Sequence, residues 1–341
     1  MGILDWFKSR PSFFEPDRLS DDTTTRAIEK AVTLTNPRMK LIHSYRERLA
    51  PAVDISVQYL REMVRAVPPA LSVSSVNWST DPVLRAFFVA AQDIPCTMGR
   101  SKNLRTLFNK YPEIDDACFI LVMKFNEQQV FGTSMQGNVV QRDVAQTTVG
   151  FSDHEARICG LDDAEVRRLL GVQAYEYLLA QALSEIGDER SERRELEDNR
   201  ALIRARLRLL QQQGPGLGSV FGRVAASSDD EFRLETQLTE NERQIEAICS
   251  QQSVLDAELE SLGAVLRHPE RYIRIEQKQL RLNSMNVLVD DASNAVASEI
   301  VFSLAQLTGV REIQRAFVMA RFARSGLPEA RMNLDDIARY L

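Results

Sequence analysis

The chain has 341 residues, 44% hydrophobic and 26% charged, the balance of an ordinary globular protein, and its length suits two cores or one core with a large appendage. A formal net charge of −6 speaks against binding nucleic acid through overall electrostatics, because phosphate-binding surfaces carry a basic excess that displaces counterions. No window reaches the ~20 consecutive apolar residues of a membrane-spanning helix, which leaves peripheral contact as the one membrane mode open to the chain.

At the N-terminus, Asp5 interrupts the apolar stretch of Ile3, Leu4, Trp6 and Phe7 where a signal peptide would be apolar throughout. These side chains could anchor in a membrane interface, but packing onto the body is the preferred reading. Cys96, Cys118, Cys159 and Cys249 lie far apart, unlike a disulfide framework or a zinc ribbon. The expectation is a cytoplasmic protein with reduced thiols.

Residues 1–115 read as a helical N-terminal region. Asn36-Pro37 places a capping asparagine before a first-turn proline, and Pro51 kinks or restarts the helix so begun. Val53, Ile55, Leu60, Met63, Val64 and Val67 then give a one-sided apolar face that ends at Pro68-Pro69. Short helices are predicted near 82–91 and 101–110. The period changes at Ala117, where the uniformly apolar run to Phe125 reads as a buried strand. A second strand over 129–134 follows a short polar turn, and a third over 139–151 follows the Gly137-Asn138 turn, so that 116–160 forms the first part of a β-rich body.

From Leu161 the pattern is helical again. Asp162 and Glu165 have capping-box spacing, and no proline occurs before Pro215, which predicts a helix of about 50 residues that needs a partner for its apolar seam. Downstream, Leu234, Leu238, Asn241, Ile245, Ile248, Gln252, Leu255, Leu259, Leu262 and Leu266 alternate spacings of four and three. Upstream, Ala182, Ile186, Glu189, Arg193, Leu196, Arg200, Ile203, Leu207 and Leu210 do the same. Residues 161–268 are thus expected to form a long antiparallel coiled-coil hairpin with its tip near 214–228, each arm projecting roughly 40 Å from the body. A fold-back centred near Phe221 would bring Glu189 and Arg193 opposite Gln252 and Cys249 in a polar layer that fixes register.

Beyond His268-Pro269, strands are predicted over 272–282, 299–307 and 313–322, with a short apolar run over 285–289 and a last helix over 333–341. Residues 269–341 form the second part of the β-rich body. The fold class is α+β: an N-terminal helical segment and a predominantly antiparallel sheet, with the helical hairpin inserted between the halves of that sheet.

Catalytic chemistry is sparsely provided. Of three histidines, His43 falls on a helix, His154 in a strand connection and His268 at the hairpin base, none with a second histidine at ligand spacing, so no metal or cofactor is expected. Asp153, His154, Glu155 and Cys159 could bring a thiol to an imidazole, but Asp-His suits a turn and Cys159 a small buried site. The stretch from Gly214 to Gly222 lacks the lysine and the preceding strand of a nucleotide loop, and a hairpin tip explains its glycines better.

That tip carries the candidate contact residues. From Asn199 to Ser228 there are five arginines and no acid, while Asp229 to Glu246 holds seven acids against two arginines. Along the stem the basic residues Arg200, Arg204 and Arg208 are expected to be neutralised by the facing arm. At the tip, Leu217, Val220, Phe221 and Arg223 escape that neutralisation and would offer an apolar anchor with a charged rim. The functional expectation is a non-enzymatic interaction or assembly protein that uses the hairpin for contact with a protein partner or for self-association. The alternative is an enzyme or small-ligand binder with a site in the α+β body that no motif reveals.

Overall fold

The computed structural model describes residues 21–136, 139–212, 228–249, 254–290, 296–309 and 312–328. They fall into two compact units. The first comprises the described parts of Met1–Thr23, Ser56–Glu176 and His268–Leu341, and the second Thr24–Ile55 with Tyr177–Arg267.

The first unit is built on one sheet. Strands β2 (Asp116–Gln136), β3 (Val139–Gly160), β4 (Ile273–Leu282), β5 (Ser298–Leu307) and β6 (Ile313–Ala323) run in the order β3-β2-β6-β5-β4, all antiparallel, while β1 (Leu71–Ser72) adds to β6 in parallel. Cys118 to Met123 pair with Arg321 to Ala316, so strands on both sides of the long helical stretch share this sheet. The segment after β4 pairs back onto β4 through a Leu282–Leu288 bridge and onto β3 through a Thr148–Val287 bridge, which closes the circuit of backbone pairing. Asn283 shapes that segment, its Oδ1 accepting from the backbone N–H of Met285 and Val287.

β2 is one strand of 21 residues, not two strands joined by a turn near Asn126. The polar residues from Asn126 onward mark the place where the strand leaves the apolar core and meets water, not a reversal. The pairing of Gln136 with Val139 brackets the expected two-residue turn, which lies outside the described residues. β3 likewise runs on to Gly160, so His154 sits within a strand and not in a connection.

Three β-bulges mark β3, at Asp143, Asp153 and Ile158, each with φ between 50° and 57°. A bulge shifts the alternation by one residue. Val149 and Phe151 therefore point into the main core, and so does Ala156 beyond the Asp153 bulge.

One face of the sheet holds the larger core. Phe119, Leu121, Met123, Phe302, Val318 and Ala320 pack there beneath the short helices α3 (Pro82–Phe87), α4 (Asp93–Arg100) and α5 (Lys102–Lys110). Its centre is aromatic: Phe302 lies 5.2 Å from Phe151 edge-on and 5.3 Å from Phe125, and Phe87 lies 4.7 Å from Phe151. The opposite face buries Cys118, Ile120, Phe317 and Met319 against Val67 and Val166. Arg167 ties this side together by donating to the carbonyls of Val64, Val67 and Pro68, at and just beyond the end of α2 (Tyr45–Arg65).

The second unit is helical. It takes in most of α1 (Asp21–Thr35), the first part of α2, and the greater part of α6 (Asp163–Gln212), with α7 (Ser228–Cys249) and α8 (Val254–Arg267). The capping box at the start of α6 is present: Asp162 accepts from the N–H of Glu165, and Glu165 reaches back to the N–H of Leu161. Asn36-Pro37 opens a short 3₁₀ turn that stops at Leu41, and Pro51 lies inside α2 without ending it. The turn ends early because Ile42 returns to extended backbone. α4 was not legible in the periodicity, being a helix of only 8 residues with a proline in it. The helix expected over 333–341, like Ile3, Leu4, Trp6 and Phe7, lies outside the described residues.

Candidate functional site

The expected contact residues Leu217, Val220, Phe221 and Arg223 lie outside the described residues, and the helices that flank them in sequence, α6, α7 and α8, are described. On α6, Ala182, Ile186 and Leu207 are buried, and Arg193, Leu196, Arg200 and Ile203 are half-buried, while Glu189 is exposed. On α7 and α8, Asn241, Ile245, Leu259, Leu262 and Leu266 are buried, and Leu234, Leu238 and Leu255 are half-buried. Among the described residues, every position of the two series but Glu189 is thus turned at least partly away from water, and the side chains of Leu210, Ile248 and Gln252 lie outside the description.

Polar pairs between α6 and the later helices run in opposite chain directions. Arg204 bonds Glu242 at 2.6 Å, Arg190 bonds Glu258 at 2.5 Å, and Glu189 accepts from the Ser261 hydroxyl at 2.9 Å. Glu189 thus meets Ser261, and Gln252, its expected neighbour, lies outside the described residues. Of the basic stem, Arg204 is neutralised by Glu242, whereas Arg200 and Arg208 have no ion pair among the described residues.

Glu258 is the most buried charge among the described residues of this unit. It is 4% exposed, and its carboxylate accepts from Arg190 on α6 and from the Asn36 amide at 2.5 Å. Nearby Arg48 of α2 reaches Asp256 at 2.6 Å and Glu260 at 2.9 Å. Four segments distant in sequence are held at one place by these pairs. Leucines alone mark a seam, and a buried glutamate in the same helix is indistinguishable in sequence from a solvated one.

In the sheet unit, Cys159 packs against the main core, and burial pushes its thiol up to about 12, which makes a thiolate nucleophile inaccessible near neutrality. His154 stacks on Phe88 with ring centroids 4.5 Å apart. One ring nitrogen donates to the Phe87 carbonyl while Nε2 is buried without a hydrogen-bond partner, and burial lowers its pKa. Among the described residues no three His, Cys, Asp or Glu side chains converge as metal ligands do, and no helix is long and apolar enough to cross a membrane.

Two features had no motif to announce them. A cleft of about 250 Å³ is lined by Arg85, Asn283, Ser284, Asn286, Val296 and Ile300 among others. Its floor is fixed by Asn286, which adopts φ 56° and donates from its amide to the Ala86 carbonyl. The other is the outer part of the β2–β3 hairpin, which extends past the end of β6 and exposes Phe131 to 80%. No protein-family model, no curated protein and no solved structure matches the chain.

Proposed function

We propose that the protein is a non-enzymatic interaction or assembly component, and that α6 with α7 and α8 forms a coiled-coil hairpin offered to a protein partner or to a second copy. The observation that carries this reading is the helical unit itself. A helix of 50 residues, about 75 Å by its rise, turns an apolar stripe inward and leaves charged faces outward over much more length than a core requires. On this reading the tip residues Leu217, Val220, Phe221 and Arg223 are the contact, flanked by Arg200 and Arg208. The setting is cytoplasmic, and neither cofactor nor metal is needed.

The test removes the distal arms, residues 198–248, across a short Gly-Ser turn, sparing Arg190, Glu258 and the base. Loss of co-purifying partners or of self-association with retained melting of the remainder is the expected result. Unchanged association would sink the proposal. A second reading, a small-ligand binder, is favoured by the cleft beside Arg85, the one cation among its described lining residues, which with amide and hydroxyl groups suits a small anionic molecule. Stabilisation by such compounds that disappears in Arg85→Ala would move the assignment there.

A further inference from the structure

From the geometry of the β2–β3 hairpin we infer a second contact surface: the outer edge of β2 from Gln128 to Gly132 pairs antiparallel with the same edge of a second copy. This goes beyond the role proposed for the helical arms and does not depend on it. β2 is covered by β6 only as far as Met123, opposite Ala316. From there outward its one strand neighbour among the described residues is β3.

The direction of the free groups follows from the neighbouring ladder. The N–H of Val149 and the carbonyl of Thr147 point away from β2, to Asn286 and Leu288. Thr148 therefore points its backbone at Gln128, and the alternation turns the backbone groups of Gln129 and Phe131 outward. No hydrogen bond to these groups is made among the described residues, and they form a template for another strand.

The two edges of the ribbon differ in how they are protected. On β3 the Asp143 bulge and the charges of Arg142 and Asp143 disrupt the outer edge. On β2, residues 128–132 carry no charge, no proline and no extra residue. The acid at its base, Glu127, is already paired with Lys278. Natural edges that stay unpaired are blunted by such devices, and only one of these two is.

A copy of the chain is the occupant that answers both sides of the contact. A two-stranded ribbon beyond its core is marginal in water, and a two-fold axis through the β2 edge converts two such ribbons into one four-stranded sheet. An uncharged segment facing itself meets no like-charge repulsion. The pairing also sets the exposed Phe131 of each copy beside Gln129 of the other. An edge contact this small belongs to the weak, concentration-dependent class.

Sedimentation of the full chain over a concentration series tests the inference. Gln129→Pro removes an outward N–H without touching the β2–β3 ladder, and Phe131→Lys adds an edge charge. Each is expected to raise the dimer dissociation constant by about tenfold or more, because a two-fold contact feels each change twice. Melting temperatures should stay near that of the parent, and the chain shortened by residues 198–248 should still dimerise. A parent that is monomeric at its highest soluble concentration overturns the inference. So does a dimer that both substitutions leave intact, or one abolished by shortening the arms alone.

Discussion

His154 shows how a single side chain can tie stability to pH. Its ring is held on Phe88, with Nε2 buried away from any partner, and burial holds its pKa below the ordinary 6.5. The unfolded chain therefore binds the proton more readily than the folded one. The stability contributed is fully present above about pH 6.5 and is lost as the pH falls from there toward the folded value. Thermal unfolding followed from neutral to mildly acid pH should fall along this limb, and His154→Gln, which cannot take up a proton, should flatten it. An identical slope in the variant would place the titration elsewhere.

At the scale of elements, Glu258 joins α8 to α6 and to the turn at Asn36. A buried carboxylate relieved of its cation is destabilised more than the pair as a whole stabilises, since removal of one partner leaves a desolvated charge. Arg190→Ala is expected to cost about 3 kcal/mol, somewhat reduced because the arginine side chain is 47% exposed. The pair Arg190→Met with Glu258→Met should recover most of that loss in urea unfolding. A double variant as unstable as the single one would show that the ion pair itself carries the stability. β3 makes a comparable point about strands. Its three bulges each reverse the alternation, so the inward residues change from odd to even positions at Asp153, and a strict period of two read through the sequence places the later side chains on the wrong face.

For the whole molecule, the sheet brings together residues on both sides of more than a hundred intervening positions. Phe125 and Phe151 precede the long helices and Phe302 follows them, yet the three rings pack within 6 Å of each other. Phe302→Ala should cost about 3–5 kcal/mol. It should also lower hydrogen-exchange protection along Cys118–Met123, which pairs with β6 and not with Phe302's own strand. Protection lost only in β5 would mean that the halves of the sheet do not unfold together.

The sequence by itself determined the element types. An apolar run marked the inner part of β2, alternation marked β4, and spacings of three and four marked most of the positions of α6, α7 and α8 that turn away from water. These signals are local, because burying one face of a helix or strand demands a fixed period whatever lies opposite. Tertiary structure alone decided the rest: the unbroken length of β2, the bulges of β3, the cleft beside Arg85 and the burial of Glu258. Each depends on which distant segment stands against a residue. Asn126 is polar beside a turn or beside water, and Glu258 is charged in solvent or against Arg190. Periodicity records that a face is covered, and only the folded chain supplies what covers it.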